Sequence, residues 1–142
     1  MNSFAQFMKK NKVQKNNVKY AATKSLVDEN GKPLLWELKP ITTKQNEDLR
    51  DKCTVDVPVS GKPNLFRPKL VTKMYVAKLI AASVVYPDLY NKELQDSYGV
   101  TTPEDLLLEM VDDPAEYNEF VKFVQDMSGF ESMTEKVDEA KN

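Results

Sequence analysis

The sequence predicts an α+β fold, with an N-terminal region of two short β-hairpins and a mostly helical C-terminal bundle around a central helix near residues 70–85. β-Branched and aromatic residues alternate with polar ones around turn signals in residues 13–69, which favours strands. Residues 70–85 are the most hydrophobic stretch, and prolines and glycines divide the chain after them into short helices. We expect one domain over residues 1–130, β-rich over 13–69 and helical over 70–130, followed by an acidic, frayed tail over 131–142.

The first hairpin is predicted to follow a short helix capped by Ser3. Residues 16–27 alternate loosely between apolar and polar side chains, as a strand does. The sequence Asp-Glu-Asn-Gly at residues 28–31 is a strong turn signal, because Asn and Gly tolerate positive φ. Residues 33–38 then return as the second strand, which makes Trp36 the expected main anchor in the core.

A polar helix and a second hairpin are predicted next. Thr42 and Gln45 have the spacing of a capping box, which predicts a helix that opens there and runs through Cys53. Valines alternate over residues 55–59, and a turn signal leads to an apolar pair at residues 65–66. Prolines interrupt this looser hairpin and limit it to a sheet edge or an arm, at Pro58, Pro63 and Pro68.

The C-terminal half is predicted to be a helical bundle. Apolar side chains of residues 70–85 point in nearly every direction at helical spacing, which indicates a central helix wrapped by others, and Pro87 stops it. Three helices follow over residues 91–98, 103–111 and 114–127, each bounded by a capping residue, a proline or a glycine.

The charged residues are divided between the two halves of the chain. Residues 1–80 hold 16 Lys and Arg against 7 Asp and Glu, a formal charge of +9. Residues 81–142 hold 4 against 15, a formal charge of −11, so the total of −2 hides a strong dipole. Such a division concerns binding and assembly rather than fold, and it predicts weak head-to-tail self-association.

The composition favours a non-enzymatic protein. Histidine is absent, Cys53 is the only cysteine, and each of the four glycines is explained by a turn or a helix end. We therefore expect no catalytic, cofactor-binding or metal-binding residues, since the usual general base, zinc ligand and phosphate-binding loop are missing. Cys53 is predicted to be a small buried residue, and the single cysteine favours the cytoplasm.

Nucleic-acid and membrane partners are not expected. The basic N-terminal stretch contains lysine almost exclusively, and the chain has only Arg50 and Arg67, although arginine suits bidentate phosphate recognition best. An acidic-partner patch or a solvated face is the better interpretation. The longest apolar run, residues 79–86, is far shorter than the ~20 residues that a membrane span needs.

The helices after residue 100 carry more apolar side chains than a single buried stripe needs. One hypothesis is a groove for an amphipathic helix of a partner protein, and the alternative is that the central helix covers these side chains completely. The candidate partner-binding residues are Leu106, Leu107, Met110, Phe120 and Phe123.

The order and spacing of residues over nearly the whole chain resemble the XkdN-like tail assembly chaperones of Gram-positive phages and phage-like elements. The most specific piece is the stretch from Leu94 to Gly99. The resemblance also rests on Gly31-Lys32-Pro33, Trp36-Glu37-Leu38, Ile41-Thr42, Asp48-Leu49-Arg50, Cys53-Thr54, Tyr86-Pro87-Asp88-Leu89, Ser128-Gly129-Phe130 and Glu139-Ala140-Lys141-Asn142.

The resemblance implies a non-enzymatic role in the cytoplasm of the bacterial host. Such chaperones are expected to bind the tape measure protein and keep it soluble while tail tube subunits assemble around it, and to be absent from the mature virion. The resemblance also implies the tail tube protein as a possible second partner. A small structural or adaptor component of a phage tail is the alternative in another functional class.

Overall fold

The computed structural model describes residues 3–130 and has an α+β fold, as the sequence predicts. The predicted acidic tail, residues 131–142, lies outside the described residues. Two short 3-10 turns, Ser3–Phe7 and Lys9–Asn11, stand where the first helix was expected. The strands are β1 (Val18–Tyr20), β2 (Trp36–Leu38), β3 (Thr54–Val59), β4 (Lys62–Leu70) and β5 (Val84–Tyr86); the helices are α1 (Thr43–Lys52), α2 (Thr72–Ser83), α3 (Lys92–Ser97), α4 (Pro103–Met110) and α5 (Pro114–Met127).

The first predicted hairpin is confirmed as the antiparallel pair β1–β2, although each strand has only three residues. Val18 lies opposite Leu38, and Tyr20 lies opposite Trp36. The turn is stabilised by the Asp28 carboxylate, which accepts hydrogen bonds from the backbone N–H groups of Asn30 and Lys32. Trp36 is buried, as predicted for the main anchor of this hairpin.

The central helix is shorter than predicted, because its last turn is replaced by a strand. α2 ends at Ser83, and β5 pairs with β2 to complete a sheet of order β1-β2-β5. The physical reason lies in the local sequence. Val84 and Val85 are β-branched, and Tyr86 precedes a proline, which disfavours the helical conformation at that position.

The predicted capping box is confirmed at α1. The Thr42 hydroxyl accepts a hydrogen bond from the Gln45 backbone N–H, and the Gln45 side chain accepts one from the Thr42 backbone N–H. α1 lies against α2, where the Arg50 guanidinium sits 5.8 Å from the centre of the Tyr75 ring and the Tyr75 hydroxyl donates to Asn46. Cys53 follows the helix and is buried, as predicted.

The second hairpin is a separate two-stranded sheet and is longer than predicted, with strands of six and nine residues. We call residues 54–70 the arm. We call the rest of the described chain the body. At the base of the arm, the Thr54 hydroxyl donates to the Arg50 carbonyl of α1 (2.7 Å), and the two residues that flank the arm are joined by a hydrogen bond from the Val71 N–H to the Cys53 carbonyl (2.8 Å). Gly61 at the tip has φ of +72°, a conformation that glycine adopts without strain.

The core lies between α2, the three-stranded sheet and the C-terminal helices. α2 packs on α1, α4 and α5, and its buried side chains include Tyr75, Leu79 and Ile80. Met74 on the same helix is exposed, so α2 is covered on most but not all of its circumference. The bounds of α3, α4 and α5 agree with the prediction to within one or two residues, and Asn91 and Thr102 cap α3 and α4 through their side chains.

Candidate functional site

The predicted groove between the C-terminal helices is closed in this structure. Leu106, Leu107 and Phe120 are 0% exposed and Met110 is 5% exposed. They pack into the same cluster as Trp36 and the buried face of α2. Their placement therefore agrees with the alternative interpretation, in which the central helix and its neighbours cover these side chains. Direct binding of a partner by these side chains stays a prediction, and it requires α4 and α5 to separate from α2.

Phe123, the fifth candidate residue, is half-buried against the first hairpin rather than against a groove. Its ring stacks on Tyr20 with the ring centres 4.1 Å apart and an angle of 17° between the planes. Tyr20 also contacts Phe120 at 5.2 Å, and Phe120 meets Trp36 edge to face at 5.6 Å. Burial raises the pKa of the Tyr20 hydroxyl, and the carboxylates of Glu119 and Glu116 raise it further. These four rings join β1 and β2 to α5.

A polar contact fixes α5 to the loop after β1. The Glu116 carboxylate accepts hydrogen bonds from the Thr23 hydroxyl (2.7 Å) and the Lys24 backbone N–H (2.8 Å). These two hydrogen bonds hold the pKa of Glu116 below its usual value. The sequence does not predict this contact, because Glu116 lies 93 positions after Thr23 and 92 positions after Lys24. The contact keeps the C-terminal helices closed over the sheet.

The arm exposes apolar side chains on both of its faces. The register places Val55 opposite Lys69 and Val57 opposite Arg67, so one face combines aliphatic and basic side chains. The other face carries Phe66 beside Pro58 and Pro68. Every residue of the arm is exposed or half-buried, with Leu65 at 49% and Phe66 at 58%. Sequence reasoning recognised the arm from its prolines but assigned no binding residue to it.

An acidic surface lies on the outer side of α4, opposite its buried leucines. Asp105, Leu108 and Glu109 lie at the spacing of a single helical face, Asp112 follows the end of α4, and all four are exposed. Leu108 is 41% exposed, whereas its neighbour Leu107 is buried completely. We call these four residues the acidic face. Lys78 of α2 reaches Glu104 beside it at 3.1 Å, and this partner raises the pKa of the lysine.

A basic groove lies between the N-terminal segment and the start of α1. Its volume is about 610 Å³, and the lysines that line it are Lys12, Lys15, Lys39 and Lys44. Ile41 and Ser128 also line it, and the Ser128 hydroxyl accepts a hydrogen bond from the Ile41 N–H at 2.8 Å. We call it the lysine groove. Among the residues that the structure describes, no carboxylate lines it.

Comparison with known proteins identifies the family. Residues 4–141 match the Phage XkdN-like tail assembly chaperone proteins. The chain belongs to this family. The phage-like element PBSX protein XkdN of Bacillus subtilis (strain 168) is 27% identical over 137 residues, which cover 96% of this chain and 91% of the relative. The protein YqbN of the same strain is 24% identical over 134 residues, covering 94% of this chain and 89% of that one.

A solved structure has the same fold. The crystal structure of YqbN superimposes with a TM-score of 0.73 at 21% identity, and the match covers 89% of this chain and 96% of that chain. Membership of the XkdN-like family places this α+β protein in phage tail assembly and implies a non-enzymatic role.

Burial raises the pKa of the Cys53 thiol, so the reactive thiolate is disfavoured. Within residues 3–130, no group of three or more Cys, Asp or Glu side chains is arranged to hold a metal ion. None of the helices in the described part of the chain is both long and apolar enough to cross a bilayer.

Proposed function

We propose that this XkdN-like protein binds the tape measure protein and keeps it soluble while tail tube subunits assemble around it. Membership of the tail assembly chaperone family supports the proposal. The observation that carries it in this chain is the arm, whose apolar side chains are exposed on two faces. A surface of this kind suits reversible contact with an apolar segment that would aggregate alone.

The arm is a better surface for this contact than the buried C-terminal helices. Leu65 and Phe66 are about half exposed, so covering them with a partner removes apolar area from water without opening the core. Arg67 and Lys69 flank the valines on one face and provide a charged rim that keeps the unbound arm soluble. Binding through the arm leaves the folded body unchanged, which suits a protein that must release its partner.

The test is co-expression with the tape measure protein of the same genome, followed by co-purification. Replacing Leu65 and Phe66 with serine should weaken binding at least about tenfold, the effect of losing one ~1.4 kcal/mol contact. The matched control is the double serine variant of Leu34 and Leu35, which are 44% and 57% exposed on the body. If the wild-type chain fails to hold the tape measure protein in solution, the proposed function is wrong.

We also propose weak head-to-tail self-association, because the two halves of the chain carry opposite charge. The basic face of the arm and the acidic face of α4 lie on different elements and are both exposed. Charge complementarity of exposed surfaces is screened by salt, so the self-association should disappear as salt rises. Sedimentation of concentrated protein at low and high salt measures it, and a strict monomer at low salt would contradict it.

The proposed site of action is the cytoplasm of the bacterial host, before the tail is complete. A chaperone of this kind leaves the particle, so mass spectrometry of purified particles should not detect it, although it detects the tail tube protein. Its presence in stoichiometric amounts would instead assign the chain to the structural or adaptor components of the tail. Contact with the tail tube protein is a further part of the proposal, and the same co-purification experiment with that protein tests it.

A further inference from the structure

The lysine groove concentrates positive charge that the body of the protein does not neutralise. Four lysines line it, Lys12, Lys15, Lys39 and Lys44. Within residues 4–130, the ion pairs join Lys19 to Glu37, Lys78 to Glu104 and Lys92 to Asp96, and none of them includes a groove lysine. Positive charges that line one groove repel one another, so a ligand with carboxylates is favoured there.

The chain leaves the described body at the edge of this groove. Ser128 lines one end of it, two residues before Phe130. The ammonium nitrogen of Lys15 lies only 3.3 Å from the point where a Cβ would stand on Gly129. Ser128 and Gly129 therefore bring the described chain to this groove just before residue 131. Twelve residues span up to about 40 Å when extended, which is enough to reach every part of the groove.

We propose that residues 131–142 bind in the lysine groove of the same chain. The segment contains Glu131, Glu135, Asp138 and Glu139, against Lys136 and Lys141. Its carboxylates are of opposite charge to the lysines of the groove and can form ion pairs with them. Attachment at Phe130 makes binding intramolecular, with an effective concentration on the order of millimolar for a short linker, so weak exposed ion pairs suffice to populate the bound state.

A peptide carboxylate fits this groove better than a nucleic-acid phosphate. The groove contains lysines and no arginine, whereas arginine provides the bidentate geometry that phosphates favour. Ile41 and Pro40 add an apolar floor that suits peptide side chains. The chain as a whole is acidic, with a formal charge of −2, which disfavours a long polyanion.

The test uses the full-length chain and a spin label near its end. Cys53 is the only cysteine of the sequence and is 0% exposed, so a cysteine introduced by Ala140→Cys is the thiol that a spin label can reach. In NMR spectra at low salt, the label should broaden the amide signals of Lys15, Thr42 and Lys44. At about 1 M salt, where the Debye length is ~3 Å, the broadening should be lost.

Two charge variants separate a groove contact from simple proximity. Replacing the four groove lysines with glutamine should abolish the broadening. The matched control replaces Lys24, Lys32, Lys62 and Lys69 with glutamine, which removes equal charge elsewhere and should leave the broadening intact. Unchanged Trp36 signals establish that both variants are folded.

Three results would overturn the proposal. The first is broadening that is the same in both charge variants. The second is broadening of unlabelled, nitrogen-15 chains by added spin-labelled chains, which would assign the groove to the tail of a second copy. The third is retention of the wild-type chain on heparin that the groove variant loses, which would assign the groove to a polyanion. None of these results depends on the tape measure protein.

Discussion

The C-terminal helices and the arm contrast in how their apolar side chains are used. α4 and α5 bury Leu106, Leu107 and Phe120 completely, whereas every residue of the arm stays exposed or half-buried. Both regions show a clear apolar pattern in the sequence. An apolar pattern therefore predicts that a face exists, but the neighbouring elements decide whether the protein itself covers that face. Here the body covers the helices, whereas the arm stays uncovered, which is why we propose it as the surface for a partner.

This contrast separates stability from binding. Substitutions in α4 or α5 should change the free energy of unfolding, because they remove buried contacts or place charge in the core. Substitutions in the arm should change binding and leave the free energy of unfolding nearly constant, because exposed positions contribute little to it. The following predictions test this separation, beginning with the largest expected effect.

Adjacent leucines of α4 provide the sharpest test. Leu107→Glu places a carboxylate without a partner at a fully buried position, and we expect it to lower the free energy of unfolding by about 4 kcal/mol or more. Leu108→Glu, one residue away and 41% exposed, should change it by less than about 1 kcal/mol. Urea denaturation followed by circular dichroism measures both variants.

Equal stability of the two variants would mean that α4 is not packed as the structure shows. The result also matters for binding experiments. Lost binding by Leu107→Glu reports unfolding of the chain rather than a missing contact, so that variant alone cannot locate the partner surface. Leu108→Glu keeps the fold and changes the acidic face directly.

The carboxylate of Glu116 gives the next largest expected effect. Glu116→Ala removes the acceptor of two hydrogen bonds that tie α5 to Thr23 and Lys24, and should cost about 2 kcal/mol. The pKa of Glu116 is lowered in the folded state, so its stabilising contribution is present above its usual pKa of 4.5 and is lost as pH falls through the lower folded value. Urea midpoints measured at neutral and acidic pH test this.

Glu116→Gln is the control, because it keeps the shape of the side chain and removes its titration. The stability difference between wild type and Glu116→Gln should shrink on acidification below the usual glutamate pKa. A difference that stays constant with pH would contradict the role given to the ionised carboxylate.

Local signals were the part of this fold that the sequence could predict. The Asp28 turn, the capping box of Thr42 and Gln45, and the prolines that open α4 and α5 all act over four or five residues. Their hydrogen bonds depend on side chains close in the chain, so sequence alone contains the necessary information. The predicted starts of α4 and α5 therefore agree with those in the structure.

Contacts between distant segments were not predictable in the same way. β5 was assigned to the central helix because its hydrogen-bonding partner, β2, lies more than forty residues earlier in the chain. The burial of the candidate groove residues of α4 was not predictable for a related reason. Leu106 and Leu107 of α4 lie in one buried cluster with side chains of α2, Trp36 and Phe120, and no local sequence pattern predicts this packing.

The stacked rings of Tyr20 and Phe123 should couple weakly. Their centres are 4.1 Å apart, and aromatic pairs of this kind contribute about 1 kcal/mol beyond buried area. A double-mutant cycle with Tyr20→Leu and Phe123→Leu measures the coupling. Because both leucines keep most of the apolar volume, additive effects of the two substitutions would show that the stacking itself contributes nothing.

The smallest expected change in stability belongs to the arm. Replacing Leu65 and Phe66 with serine should alter the free energy of unfolding by no more than about 0.5 kcal/mol, because both side chains are near half exposure in the folded chain. Amide hydrogen exchange offers a second measurement: arm amides should exchange by local opening, while the amides of α2 and α5 exchange through global unfolding. The variant should accelerate exchange in the arm alone. Faster exchange throughout α2 would mean that the arm stabilises the body, and the separation between a binding arm and a stable core would then fail.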